Sequence, residues 1–118
     1  MDKVILEAKN ISKSFSNGEK KLNVLKNLSL LINQGDIIII MGESGSGKST
    51  ALNILGTLDK PDDGLLEIDS QQIINFDDNE ISKIRNEKIG FVFQSSYLLP
   101  EFTALENVLM PAWIRKKK

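Results

Sequence analysis

The chain has 118 residues, 41% of them apolar, and its 15 basic and 16 acidic side chains leave a formal net charge of -1. That length fits one domain or part of one, and the balanced charge excludes bulk electrostatic attraction to nucleic acid or to an anionic membrane. The absence of cysteine excludes disulfides and thiolate metal sites, and the absence of histidine removes the commonest acid-base and metal-binding side chain.

In chain order, MDKVILEAKN carries acids and no apolar h-region, so no signal peptide is expected. Val4, Leu6 and Ala8 alternate with Ile5, Glu7 and Lys9, which predicts a strand continuing through Phe15 to a turn at Ser16, Asn17 and Gly18. A second extended run covers residues 28–32 and stops at Asn33, Gln34 and Gly35. These two read as a small antiparallel sheet. Residues 36–41 (DIIIIM) differ, because an isoleucine run without polar alternation is how a strand buried on both faces of a parallel sheet reads. The longest aliphatic run lies here and is far shorter than the roughly 20 apolar residues that a membrane-spanning helix requires.

Beyond Gly47, the spacing of Lys48, Ala51, Leu52, Ile54 and Leu55 predicts a helix ending near Gly56. Residues 60–64 (KPDDG) read as a turn, and residues 65–69 as a strand. Asp77 with Glu80 is a capping-box pair and predicts a helix through about Lys88. Residues 89–93 (IGFVF) read as another buried strand, ending at Gln94. Thr103 with Glu106 repeats the capping box ahead of a helix that Pro111 is expected to end or kink. The basic tail, residues 115–118, reads as a solvated end.

The chemistry is concentrated at Gly42-Glu43-Ser44-Gly45-Ser46-Gly47-Lys48-Ser49, which matches the phosphate-binding pattern G-x-x-x-x-G-K-[ST]. A triphosphate is a dense anion, held best by many N–H donors that already point inwards. Glycines let the backbone curl around it without Cβ clashes, and the following helix adds its positive N-terminal end. Lys48 supplies a mobile cation to the β- and γ-phosphates, and Ser49 a hydroxyl to Mg²⁺. A chance match at a given position is on the order of one in 30,000 from residue frequencies. The predicted strand before the loop and helix after it are the context the motif demands. The motif alone leaves ATPases, kinases and GTPases open.

The sequence around the loop narrows the choice. MGESGSGKSTALNILGTLDKPDDGLLEID followed by IRNEKIGFVFQSSYLLPEFTALENVLMP resembles the nucleotide-binding subunits of ABC transporters, over residues 4–111. More narrowly, LLPEFTALENV after FVFQ resembles the lipoprotein-releasing group of such subunits, which is close to the macrolide- and peptide-export ATPases. The resemblance implies an α/β P-loop NTPase core of the ABC ATPase type with an antiparallel β subdomain. Residues 1–118 would form the N-terminal portion of that domain, truncated relative to the whole.

The resemblance also implies roles. Phe15 falls where the family places an aromatic that stacks on adenine; without the family, a core or turn aromatic is the simpler reading. Thr50 falls at the α-phosphate. Gln94 falls at the glutamine that offers an oxygen to Mg²⁺ and a donor to the attacking water, so Lys48 and Gln94 are the catalytic candidates. The loop after it, residues 95–102, resembles the surface that meets integral membrane transporter subunits, although Tyr97, Leu98 and Leu99 also fit a local core. The expected ligands are ATP and Mg²⁺. The expected assembly is a homodimer on the cytoplasmic face of the inner membrane, peripheral to it, with no nucleic acid.

The family's remaining catalytic elements do not occur in this sequence. It has no LSGGQ-like signature, no hydrophobic strand ending in an Asp-Glu pair, and no histidine to serve as the switch residue. ATP binding with negligible hydrolysis is therefore expected of the chain alone. The lysine run at its end is compatible with a shifted or shortened reading frame. An unpaired apolar edge at residues 36–41 would make the isolated chain poorly soluble. Two alternatives remain from sequence: a small-molecule kinase sharing the loop, against which FVFQSSYLLPEFTALENV argues, and a non-catalytic nucleotide-binding fragment.

Overall fold

The computed structural model describes residues 3–116. They fall into two compact units, Met1–Phe76 and Asp77–Lys118.

The first unit is built on a four-stranded antiparallel sheet in the order β2-β1-β3-β4. Strands β1 (Val4–Asn17) and β2 (Lys20–Asn33) form a long hairpin, and β3 (Asp63–Ile68) and β4 (Gln71–Gln72) extend the other edge. Helix α1 (Lys48–Leu55) ends at Gly56, whose N–H bonds Leu52 O. The core is the seam between sheet and helix: Ala8, Ile11, Leu66 and Ile68 are buried with Ala51, Ile54 and Leu55. Simple alternation would put Ala8 and Ile11 on opposite faces of β1. Asn10, at φ 52°, lies where the register shifts between Ala8↔Leu30 and Ile11↔Leu28, so both side chains reach the core. Gly64 of β3 lies against this bulge; a Cβ there would come within 2.5 Å of Asn10 O.

Residues 36–41 depart from the sequence expectation. They belong to no strand ladder, and Ile37, Ile39 and Met41 are 90%, 76% and 86% exposed. Residues 38–41 line a shallow cleft with Leu25, Leu28 and Leu30 of β2, and Ile40 is the least exposed of the four. A β-branched run forms a strand only where a neighbouring strand accepts its amides and covers both pleat faces. Here no neighbouring strand pairs with the run and its cover is partial.

The second unit holds α2 (Asp78–Lys88) and α3 (Ala104–Lys116). Both start with the capping box read from sequence. Asp77 Oδ1 accepts from Glu80 N at 2.8 Å, and Glu80 Oε1 from Asp77 N at 3.2 Å. Thr103 Oγ1 accepts from Glu106 N at 3.1 Å, and Glu106 Oε1 from Thr103 N at 2.9 Å. Pro111 does not end α3, which continues to Lys116. The missing proline N–H costs one helical bond, while α2 supports the turn beyond it: Asn86 Nδ2 donates to Pro111 O at 3.0 Å, and Arg115 Nη2 to Asn86 O at 2.7 Å. Arg115 is thus tied to α2 rather than merely solvated, and Lys117 and Lys118 lie outside the described residues. Residues 89–93, expected as a buried strand, are likewise in no ladder, and Val92 is fully exposed. Within this segment Phe91 stacks on Phe93 at 5.3 Å, and Phe93 meets Tyr97 edge-on at 4.9 Å.

Candidate functional site

The glycine-rich loop, residues 42–50, follows the isoleucine segment and runs into the first turn of α1. Its first turn is closed by Ser46 N donating to Glu43 O at 3.1 Å. A Cβ on Gly42 would meet Ser46 Oγ at 2.6 Å, a contact that rotation of the serine side chain could relieve. Gly45 and Gly47 have φ of +82° and +97°, a region open to glycine at little cost. Gly47 is also the N-cap of α1 and supplies no side-chain acceptor. The first N–H groups of the helix therefore have no capping side chain and are available to an external anion. Lys48 folds back over the loop and its Nζ donates to Gly42 O. Ser49 is exposed on the first turn of α1, Thr50 is half-buried behind it, and Glu43 and Ser44 are exposed on the loop.

The loop is seated on β2. A Cβ on Gly47 would lie 2.9 Å from Val24 Cγ1, 3.0 Å from Val24 O and 3.2 Å from Leu25 Cδ2. Val24 is the extra residue of a bulge, since Lys13 pairs with Leu25 while Ser14 pairs with Asn23. Phe15 pairs with Leu22 in the same stretch of β2 and is 45% exposed. The hairpin register thus brings the aromatic candidate and the glycine loop to one short segment of a single strand.

Beside Phe15, Lys13 is held by oxygens. Its Nζ donates to Lys60 O at 2.9 Å and lies 3.6 Å from Asp59 Oδ1 and 3.5 Å from Asp62 Oδ1. Asp62 Oδ2 in turn accepts from Ser14 N at 2.7 Å and Ser14 Oγ at 3.1 Å. These two hydrogen bonds, the backbone one foremost, hold the Asp62 carboxyl below its ordinary value of 3.8, with the Lys13 charge adding to the effect.

Gln94 belongs to the second unit, where it is exposed at a bend after an unpaired segment rather than at a strand end. Among the described residues, no group of three or more acidic or other metal-ligating side chains forms a metal cage. The exposed Ser49 hydroxyl would still suit Mg²⁺, an ion that keeps most of its waters and needs few protein oxygens.

Comparison with known proteins defines the class. The ABC transporter family profile matches residues 25–118, and the chain belongs to that family. It is 47% identical to the lipoprotein-releasing system ATP-binding protein LolD of Myxococcus xanthus over 113 residues, which cover 96% of this chain and 50% of the relative. It is 50% identical to the ABC transporter ATP-binding protein MJ0796 of Methanocaldococcus jannaschii over 107 residues, 91% of this chain and 46% of that one. The solved dimer of the ATP-binding cassette MJ0796 in a post-hydrolysis state, bound to ADP and Pi, superposes with a TM-score of 0.91 at 47% identity, covering 97% of this chain and 49% of that chain. The chain spans about half the length of the curated relatives it matches.

Sequence reasoning did not single out Val24, Lys13 or Asn107. Val24 and Lys13 matter through a bulge and a turn whose partners are distant in sequence. Asn107 resembles any helix-surface amide, yet its Oδ1 accepts from Leu99 N at 2.9 Å while its Nδ2 donates to the carbonyls of Leu99, Phe102 and Thr103 at 3.2, 3.3 and 2.8 Å.

Proposed function

We propose that this chain is the ATP-binding portion of an ABC transporter subunit that energises release of lipoproteins from the inner membrane. The observation that carries the reading is the glycine loop: Gly47 in the left-handed region leaves α1 uncapped, and Lys48 arches over the loop. In this reading the amides of residues 42–47 take the β-phosphate, Lys48 the β- and γ-phosphates, and Thr50 the α-phosphate. Phe15 stacks on the adenine, a contact worth roughly 1–3 kcal/mol. Ser49 would offer its hydroxyl to Mg²⁺, and the family resemblance gives Gln94 a like role through its amide oxygen; the ion would offset phosphate charge.

The relatives named for lipoprotein release support the transported class, and the dimeric cassette bound to ADP and Pi supports a nucleotide held in a two-chain assembly. Exposed Tyr97, Leu98, Leu99 and Phe102 support docking of membrane subunits on the loop after Gln94. The protein would then lie on the cytoplasmic face, peripheral to the membrane. No helix among the described residues is long and apolar enough to cross one.

Hydrolysis needs several positioned groups at once. The sequence contributes the cradle, one hydroxyl and one glutamine, so the chain alone binds ATP and turns it over negligibly. Equilibrium binding of labelled ATP with and without Mg²⁺ tests the first part. Lys48→Ala is expected to weaken binding about 10- to 100-fold, the worth of a charged hydrogen bond. Unchanged affinity in that variant would overturn the reading. Turnover by the wild-type chain that vanishes in Lys48→Ala would overturn the second part.

A further inference from the structure

We propose that Lys13 is a positioning residue for base recognition: its anchored ammonium occupies one side of the Phe15 ring and fixes that ring for a purine on the other. The inference rests on the reading of Phe15 as the base-stacking residue.

Lys13 Nζ lies over the Phe15 ring, 5.5 Å from its centroid, within the range at which a cation is attracted to an aromatic face. Such a contact between a mobile surface lysine and a half-exposed ring would mean little. This lysine is different, because its side chain is only 14% exposed and three oxygens surround its head group. The oxygens come from Asp59, Lys60 and Asp62, in the turn between α1 and β3. That turn is itself fastened to β1, since Asp62 binds both the amide and the hydroxyl of Ser14 and Asp62 N donates to Ser12 O at 2.9 Å. The ammonium is therefore a fixed charge, supported from the helix that begins at the glycine loop.

Two consequences follow for the ring. Its orientation is set before any ligand arrives, so a base does not have to immobilise it. A cation on one face also draws electron density from the other, which favours stacking by an electron-rich purine there. Lys13 sits two residues from Phe15 on the same side of β1 and does its work through that ring, without touching the ligand.

The test separates base from phosphate. Wild type, Lys13→Met, Lys13→Arg and Phe15→Ala full-length chains are titrated with labelled ATP, and inorganic tripolyphosphate is used as the displacing ligand. Lys13→Met is expected to weaken ATP about 2- to 10-fold while tripolyphosphate affinity stays constant, and Lys13→Arg to keep wild-type ATP affinity. Constant tripolyphosphate affinity in the same sample also reports that the variant is folded. Equal losses for both ligands would assign Lys13 to the phosphates or to general stability and overturn the proposal. So would unchanged ATP affinity in Lys13→Met when Phe15→Ala weakens it. Unchanged ATP affinity in Phe15→Ala would remove the base-stacking reading itself.

Discussion

Gly47 rests directly on Val24: a β-carbon added to the glycine would lie 2.9 Å from the valine's Cγ1 and 3.0 Å from its carbonyl oxygen. The glycine loop is thereby seated on a bulge of the hairpin, and the two glycines of the loop with positive φ carry different burdens. Gly45 needs only its backbone angle, because nothing lies within 4 Å of its missing side chain. Gly45→Ala is expected to lower stability by about 1–2 kcal/mol, the cost of a left-handed alanine. Gly47→Ala adds the clash and should cost about 2–5 kcal/mol. Urea unfolding of the two variants checks the order, and equal losses would show that the Val24 contact yields freely.

Gly64 presents a harder constraint. Its φ is +103°, and an added methyl would meet only backbone, with Asn10 O at 2.5 Å and Ile11 Cα at 2.7 Å. No side chain can move aside there. Gly64→Ala should separate β1 from β3 locally and lower stability by about 3 kcal/mol or more. Thermal unfolding followed by circular dichroism measures this, and a midpoint close to wild type would contradict the register of the two strands.

Asp62 makes stability depend on acid in a defined direction. Its hydrogen bonds with Ser14, aided by Lys13, favour the carboxylate, so its folded pKa lies below the ordinary 3.8. A depressed carboxyl contributes stability that is complete above the ordinary value and is lost as pH falls through the folded one. Wild type should therefore exceed Asp62→Asn in stability near neutrality, with the gap narrowing below about pH 4. Urea midpoints of both proteins across that range report it, and a gap independent of pH would mean the carboxylate charge contributes nothing.

Ile37 and Ile39 point one apolar row into solvent. Replacing both with lysine removes little buried area, so stability should change by no more than about 0.5 kcal/mol. Self-association should fall, because the charged row no longer templates a second strand. Sedimentation velocity on wild type and Ile37→Lys/Ile39→Lys gives the comparison. Persistent aggregation of the soluble-face variant would place the sticky surface elsewhere.

Much of the local structure was legible because local chemistry fixes it. The Asp77/Glu80 and Thr103/Glu106 boxes each depend on residues three apart, and both helices begin where those pairs stand. The glycine loop was legible for the same reason, as was the end of α1 at Gly56. Residues 36–41 and 89–93 were misread because a strand depends on its neighbours, and hydrophobic composition states only what a segment would bury if a neighbour were there. Pro111, expected to end or kink α3, does not end it, and the bonds from Asn86 and Arg115 beyond it lie outside any helical window. The support of the site was the least legible part. The Val24 bulge and the oxygen cage of Lys13 join residues 23 and 46 to 49 positions apart, a separation at which no sequence pattern is diagnostic.

Asn107 gives the second unit a mechanical property. A single amide grips Leu99 at both N–H and carbonyl and also takes the carbonyls of Phe102 and Thr103, so residues 99–103 are clamped to the first turn of α3. A load applied at Tyr97 or Leu98 is then delivered to the helix as a lever arm receives torque, instead of being dissipated in slack chain. Asn107 shares that span with the Thr103/Glu106 box and the Phe102 N–Leu99 O bond, and cutting it would slacken the linkage at Leu99.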